Sequence, residues 1–265
     1  PAGCLVAETR GRMIGFIFSR RWGTLGWVGT FGVLPEARGA GIGQRLLARA
    51  VAALKKSGCR EIGLETMETS PANIALYLKA GFRMLPPALL LTRELSDSSA
   101  RVEPVTREGS AVPWAETRRL SRCIHPGLDL TSQVRNALEY GWGRLVWMGG
   151  ATRQGFLLVR TVPAREQGKA GICLVDSGVV SFAPATSRRA TREFLALLER
   201  VAREFRARKI VLAVASSQPE APQRILEAVY RLQRAPVRMM LGQSAFRESN
   251  GMLLSERELG VSDNH

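Results

Sequence analysis

A glycine-rich turn between an apolar strand and a helix is the feature that most constrains the fold of this chain. Residues 27 to 34 read WVGTFGVL, which predicts a strand covered on both faces, and Pro35 ends it. The next residues carry glycines at 39, 41 and 43. From Gly43 onward apolar residues recur at helical spacing, and Gly58 is placed to end the helix. A strand, a glycine turn and a helix in this order predict an α/β fold.

The same turn predicts a binding site for an anion. The start of a helix presents free backbone N–H groups and the positive end of its dipole, and both favour a phosphate. Glycine side chains do not block close approach. A dinucleotide-binding fingerprint would need glycine where the chain has Gln44, and the Gly-Lys-Ser/Thr of a P-loop is absent. What remains is the pattern R-x-x-G-x-G, formed by Arg38, Gly41 and Gly43.

The residues around this turn predict further strands and one more helix. CLVAE and MIGFIFS flank TRGR and indicate a hairpin, and REIGLET at 60 to 66 indicates a strand. Ser70 can cap the helix PANIALYLKA, Pro71 suits its first position and Gly81 closes it. FRMLPPALLLTREL completes the predicted mixed sheet as strand.

The glycine turn resembles the acetyl-coenzyme A pyrophosphate loop of the GNAT superfamily of N-acetyltransferases. NIALYLKAGF at 73 to 82 resembles the next signature of that superfamily, at the matching distance. The resemblance implies that the loop amides hold the pyrophosphate of acetyl-CoA and that the preceding strand pairs with its pantetheine arm. By this resemblance the cofactor-binding residues are Phe31, Val33, Leu34, Arg38, Gly39, Ala40, Gly41, Ile42, Gly43, Gln44 and Asn73.

The resemblance also implies direct attack of an amine on the acetyl thioester, with roles for several residues. Tyr77 would protonate the leaving thiolate, although a buried packing role is its default interpretation without the resemblance. The N–H of Val33 would stabilise the oxyanion if the strand splays there. Glu65 or Glu68 could act as a base through water, yet each also fits a surface glutamate at a strand end, and solvent can replace a protein base.

The resemblance covers residues 4 to about 95, which we assign to a first domain at 1–98. The superfamily normally opens with a strand and two helices, whereas this chain begins at its second strand. We therefore expect residues to be absent before Pro1, or another segment to take their place.

The second half of the sequence repeats the pattern of the first and predicts a second, GNAT-like domain at 99–265. ARKIVLA echoes CREIGLE, AVYRLQRAPVRM echoes ALYLKAGFRM, and LLSEREL echoes LLLTREL. RVEPV predicts its first strand, followed by helices around WAETRRLSRC and SQVRNALEY and by the hairpin RLVWMGG and GFLLVRT. The fold class is therefore α/β with mixed sheets, in two tandem acyl-CoA N-acyltransferase domains.

The second copy lacks the glycine turn. Thr186, Arg189 and Thr191 stand where the first copy has Arg38, Gly41 and Gly43, so we expect it to have lost cofactor binding. Tyr230 aligns with Tyr77 but is expected to be a packing residue, and His125 a lone structural histidine.

Composition narrows the partners. The net charge of +15 allows nucleic acid, anionic membrane or a phosphorylated ligand, but glutamates interrupt the arginines of the amphipathic segment at 186–209. A solvated helix face is therefore favoured there, and nucleic acid is unlikely. Neither a signal peptide nor an apolar run of about 18 residues is present, which predicts a cytoplasmic protein without a membrane partner. Four scattered cysteines and two histidines indicate no metal site.

These observations predict an acetyl-CoA-dependent N-acetyltransferase whose first domain is catalytic. The second would support it, form a homodimer or shape the acceptor site. The acceptor stays open among small amines and protein amines. The alternative is a non-catalytic module that binds coenzyme A or uses its basic surface for interactions.

Overall fold

The computed structural model describes residues 3–96, 112–149, 155–162, 171–181, 187–217, 220–242 and 251–254. Across these residues the chain forms two mixed β-sheets, and helices cover both. The predicted strand RVEPV, Thr186 and most of LLSEREL lie outside the described residues.

The first half contains six strands and two α-helices, in the order in which the sequence predicts them. A short 3-10 helix, Pro35–Ala37, lies within the glycine turn. The elements are β1 (Cys4–Thr9), β2 (Arg12–Trp22), β3 (Leu25–Val33), α1 (Ile42–Lys56), β4 (Glu61–Thr66), α2 (Pro71–Lys79), β5 (Phe82–Leu85) and β6 (Ala88–Glu94).

The described part of the second half begins with two helices and continues in a similar order. Its elements are α3 (Trp114–Ile124), α4 (Thr131–Glu139), β7 (Arg144–Met148), β8 (Gly155–Val162), β9 (Gly171–Ser181), α5 (Ser187–Glu204), β10 (Ala207–Ala215), α6 (Glu220–Glu227), β11 (Arg231–Arg234), β12 (Val237–Leu241) and β13 (Gly251–Leu254).

The two sheets exchange one strand each. Sheet A has the order β1-β2-β3-β4-β12-β5, so a strand of the second half lies between two strands of the first. Sheet B has the order β11-β6-β10-β13-β9-β8-β7, and β6 of the first half lies between β10 and β11. Each exchanged strand is antiparallel to both neighbours. The sheets therefore do not follow the predicted division near residue 98.

This arrangement changes three details of the sequence prediction. FRMLPPALLLTREL forms two strands, β5 and β6, which belong to different sheets. By position in the sheets β6 corresponds to β12, so the echo that we drew between LLLTREL and LLSEREL is misplaced. Ser70 occupies the N-cap position of α2 as predicted, but its side chain makes no capping hydrogen bond; Pro71 begins the helix.

Three apolar clusters hold the layers together. One packs α1 and α2 on sheet A through Leu47, Leu64 and Phe82, and a second packs α5 and α6 on sheet B through Phe194 and Ile210. The third joins the halves. It contains Trp22 and Leu25 of sheet A, Met240 of the exchanged strand, Phe156 of sheet B, and Leu120, Ile124 and Val134 of α3 and α4.

Polar contacts also connect α3 and α4 to the first half. His125 is 7% exposed, and its Nε2 lies 3.0 Å from Oε2 of Glu61. Its Nδ1 accepts the N–H of Gly127, whose carbonyl accepts the N–H of Thr24 at 2.9 Å. The prediction of a structural histidine is confirmed, because this ring links the α3–α4 connection to the start of β4.

The sequence predicts an apolar stripe on α5 that extends to Phe205. Phe205, beyond the end of the helix, is 37% exposed, whereas the other stripe residues are buried: Phe194, Leu195, Leu198, Val201 and Ala202. Two glutamates of α5 form ion pairs with strands of sheet B: Glu199 pairs with Arg93 of β6, and Glu204 with Arg144 of β7. Within the described residues, no helix combines the length and the apolar character needed to cross a membrane.

Candidate functional site

Strands β3 and β4 separate at their carboxyl ends and leave an open slot in sheet A. The parallel pairing runs from Leu25 opposite Glu61 to Val28 opposite Leu64 and stops there, while both strands continue. At this point the register of β3 against β2 shifts, with Ile17 opposite Phe31 and Ser19 opposite Val28. Because such a bulge bends its strand, β3 turns away from β4. We call the opening between residues 29–33 of β3 and residues 65–66 of β4 the first slot.

The backbone of β3 presents hydrogen-bonding groups to the first slot. Leu34 donates its N–H to the carbonyl of Ile14 at 2.9 Å, on the side of β2. Neighbouring residues of a strand point their backbone groups in opposite directions, so those of Val33 and Phe31 face the slot. The Val33 carbonyl there accepts Nε of Arg38 at 3.3 Å. The Val33 N–H therefore points where the oxyanion prediction requires it.

The glycine turn lies at the end of this slot. Glycine suits its three positions for different physical reasons. Gly39 and Gly41 adopt positive φ angles of 83° and 73°, and a Cβ on either would meet no atom within 4 Å. A side chain there would be strained and would occupy the space in front of α1. The first hydrogen bond into α1 is donated by Arg45 to Gly41 at 3.1 Å. The amides of residues 42–44 precede it and face the turn.

The space at Gly43 is instead limited by packing. A Cβ on Gly43 would come 3.0 Å from Cζ of Phe31 and 3.9 Å from Cδ2 of Leu76. Ile42 is 7% exposed and belongs to the apolar cluster under α1, so of its groups only the backbone faces the turn. Phe31 and Gly43 thus hold β3, α1 and α2 close together beside the turn.

A groove of about 490 Å³ starts beside the turn and runs between α1 and α2. Its walls are mostly apolar, and Lys55 and Lys79 add positive charge. The lining residues are Gln44, Leu47, Ala48, Val51, Ala52, Lys55, Leu76, Lys79, Ala80, Phe82 and Leu241. No sequence pattern indicated this groove, because Leu241 comes from the exchanged strand β12.

Tyr77 lies on α2 and is buried. Its side chain is 5% exposed and makes an edge-to-face contact with Phe82, with the ring centroids 6.0 Å apart. Desolvation by burial raises the pKa of Tyr77 to about 12, so the phenol is protonated at neutral pH. Asn73 lies one turn earlier on the same helix and is half-buried. Tyr77 can therefore donate a hydrogen bond, but it is a weaker acid than an exposed tyrosine.

Glu65 is not the surface glutamate that the sequence also allowed. Nε and Nη2 of Arg238 donate to Oε1 of Glu65 at 2.9 and 2.8 Å. The Glu65 side chain is 13% exposed and the Arg238 side chain 3%. The Arg238 guanidinium also lies 5.9 Å from the ring centroid of Trp27. Glu68 is exposed, as that interpretation predicts. The sequence could not single out Arg238, because its pairing with Glu65 depends on the strand exchange.

The second half presents a different surface at the corresponding place. Helix α5 already includes Arg189 and Thr191: Arg189 is exposed and pairs with Glu193 at 2.8 Å, and Thr191 is buried. Tyr230 follows the end of α6 rather than lying on it, so its alignment with Tyr77 is wrong. It is 3% exposed, which agrees with the predicted packing role, and its hydroxyl has no hydrogen-bond partner among the described residues.

Within the described part of the chain, no three histidine, cysteine, aspartate or glutamate side chains come together in a way that could hold a metal ion. The first slot, the glycine turn and the groove are instead built from backbone amides, apolar side chains and cations.

Most residues of this site lie in a segment of the chain that matches a known protein family. Residues 1–82 match the model of the Acetyltransferase (GNAT) family. The chain is 33% identical over 86 residues to N-alpha-acetyltransferase MAK3 of Arabidopsis thaliana, covering 31% of this chain and 45% of that protein. It is 35% identical over 91 residues to Acetyltransferase SG1711 of Sodalis glossinidius, covering 34% of this chain and 64% of that protein. The chain thus spans less than two thirds of either relative.

A solved structure from Pyrococcus horikoshii resembles nearly the whole chain. The superposition covers 94% of this chain and 76% of that one, with a TM-score of 0.64 and 19% sequence identity. At this identity the likeness concerns the fold alone. The findings together support a GNAT acetyltransferase domain in the first half and a mixed α/β, GNAT-like fold.

Proposed function

We propose that the first half of the chain is an acetyltransferase that takes acetyl-CoA as donor and an amine as acceptor. The observation that carries this proposal is the continuity of the first slot with the glycine turn. An extended amide-bearing arm can pair with the free edge of β3, and the phosphates at its end then meet the start of α1. The family match over residues 1–82 supports the same function.

The turn fits a pyrophosphate in both shape and charge. The space in front of Gly39 and Gly41 is open, and the amides of residues 42–44 are directed into it. Arg38 lies in the same turn, and Arg45 and Arg49 lie on the exposed face of α1, which carries no acidic residue. The groove between α1 and α2 offers room for the adenosine part of acetyl-CoA. Lys55 and Lys79 line this groove and would attract the phosphate on the adenosine part.

Bound acetyl-CoA would supply a thioester whose carbonyl carbon is open to attack by an unprotonated amine. The Val33 N–H is directed to stabilise negative charge on the carbonyl oxygen. Tyr77 can donate a hydrogen bond to the departing sulfur. Its pKa of about 12 lies above the ordinary thiol value of about 8.5, so the proton stays mainly on the phenol and solvent protonates the thiolate.

The proton that the amine must lose is best assigned to solvent. Nε and Nη2 of Arg238 both donate to Oε1 of Glu65, so this oxygen is already engaged with the exchanged strand. Glu68 is exposed and can relay a proton to bulk water. In this proposal Glu65 fixes the end of β4 rather than serving as the base.

Isothermal titration with acetyl-CoA tests the proposal directly. We expect one site per chain, and release of free thiol when amines are added to the complex. A panel of a polyamine, an amino acid, an aminoglycoside and an N-terminal peptide would separate the acceptor classes. Absence of acetyl-CoA binding by folded protein would contradict the proposal, and binding without thiol release for any amine would favour a coenzyme-binding module.

A further inference from the structure

The second half contains a counterpart of the first slot. Strands β9 and β10 pair in parallel from Gly171 opposite Ala207 to Leu174 opposite Val211, and the parallel pairing then stops, as it does between β3 and β4. The register of β9 against β8 shifts just beyond, with Val159 opposite Val175 and Leu158 opposite Ser177. The two halves therefore each have a bulge within three residues of the end of parallel pairing.

The opening in the second half is filled by a strand of the same chain. Strand β13 pairs antiparallel with β9 over its whole length, from Gly251 opposite Ser181 to Leu254 opposite Gly178. On its other side Leu254 pairs with Val214 of β10. We call the opening between residues 178–181 of β9 and residues 212–215 of β10 the second slot.

The surroundings of β13 also differ from those of the first slot. Helix α3 contacts both β9 and β13, so the inserted strand is covered by a helix as well as paired at its edges. The segment after β9 leads into α5, where Thr191 is buried and Arg189 is paired with Glu193. The second slot thus has an edge suited to an extended chain, but its helix start lacks the open glycines.

We infer that the second slot is a binding site for an extended peptide, and that β13 is its intramolecular ligand. The carbonyl and N–H groups of β13 meet the hydrogen-bonding needs of β9 that a pantetheine arm would meet in the first slot. This comparison rests on the function proposed for the first half; the peptide assignment rests on the strand pairing alone. The consequence is one acetyl-CoA site per chain, with β13 excluding the cofactor from the second slot.

Amide hydrogen exchange, measured on the full chain by mass spectrometry with and without acetyl-CoA, tests this inference. Without ligand, residues 178–181 should be protected, because β13 pairs with all four and β8 pairs with residues 178–180 on the other side. The amides of Phe31 and Val33 should exchange rapidly and slow by at least tenfold when acetyl-CoA is added. Protection at 178–181 should stay the same.

The exchange rates measured at the two slots separate the two proposals. Rapid exchange at 178–181 without ligand, followed by protection when acetyl-CoA is added, would overturn the peptide assignment. Protection at 178–181 together with no response at Phe31 and Val33 would sustain it while contradicting the proposed function.

A proline variant gives an independent reading. Met252→Pro removes a backbone donor from β13 and should accelerate exchange at 178–181 at least tenfold. The unliganded exchange of residues 29–33 serves as the internal control, since β3 belongs to sheet A and β13 to sheet B. Unchanged protection at 178–181 in this variant would show that another segment covers β9.

Discussion

The segments that follow β3 and β9 begin from the same strand geometry and end differently. Strand β3 ends at Val33 and α1 begins only at Ile42, after two glycines with positive φ angles. Strand β9 ends at Ser181 and α5 begins at Ser187, so the residues aligned with the glycines lie inside a helix. The comparison indicates that the splayed strands provide an edge for an extended chain in both halves, whereas among the described residues only the segment after β3 leaves open space in front of a helix.

The halves differ in their slots but depend on each other for their sheets. The exchange of β6 and β12 places Arg238 of the second half beside Glu65, at the end of the strand that borders the first slot. The second half therefore helps to shape the border of the first slot. If the halves were independent units, disrupting this contact would change little.

The largest expected effect comes from breaking that contact. Arg238→Met leaves the Glu65 carboxylate buried without its guanidinium partner, and loss of one member of a buried pair costs about 3–5 kcal/mol. We expect the free energy of unfolding, measured by urea titration, to fall by about that amount. The double variant with Glu65→Leu should recover part of the loss.

An exposed ion pair between β2 and the 3-10 helix provides the control. Arg12 lies 2.7 Å from Glu36, and their side chains are 68% and 54% exposed, so Arg12→Met should change the free energy of unfolding by less than about 1 kcal/mol. Equal effects of Arg238→Met and Arg12→Met would mean that the exchanged strand does not stabilise sheet A.

The next effect concerns cofactor affinity. Gly41→Glu places a carboxylate in the space in front of α1, and we expect acetyl-CoA to bind about 100-fold more weakly because each lost charge-assisted hydrogen bond costs about 1.5–3 kcal/mol. Gly58→Glu is the matched control: Gly58 has a φ of 91°, and a Cβ there also meets nothing within 4 Å, but it lies beyond the other end of α1. Calorimetry showing equal losses in both variants would assign the effect to strain or charge rather than to the turn.

Tyr77→Phe should have a smaller effect. The variant loses one hydrogen bond to the leaving sulfur, worth about 1 kcal/mol, so kcat/KM should fall less than about tenfold.

The effect of Tyr77 on stability depends on pH with a definite sign. Because the folded-state pKa is raised from 10.0 to about 12, the contribution of Tyr77 to stability is complete below pH 10 and is lost as the pH rises towards 12. Tyr77→Phe should lack this part of the alkaline loss of stability. For catalysis, a decrease in kcat/KM beyond 100-fold would mean that the phenol transfers its proton.

The sequence predicted the elements around the glycine turn closely, because they depend on local signals. The apolar strand, Pro35, the glycines and the helical stripe after Gly43 each act within a few residues of their position. The exchange of β6 and β12 could not be predicted, since either strand can pair with either sheet and nothing local distinguishes them. The same reason hid the Glu65–Arg238 pair and the place of β13, whereas Tyr230 was misplaced because α6 ends at Glu227, earlier than the echo with α2 implied.

The smallest expected effect tests whether the glycine pattern alone makes a cofactor site. Arg189→Gly removes an exposed side chain from the first turn of α5 and frees Glu193, while the buried Thr191 and the inserted strand β13 remain. A phosphate would then find one unobstructed position but no free edge of β9 beside it. We expect calorimetry to give one acetyl-CoA site per chain, as in the unmodified protein, with a slightly lower melting temperature because glycine weakens a helix. A second site in this variant would show that the Arg189 side chain, and not β13, keeps the cofactor out of the second half.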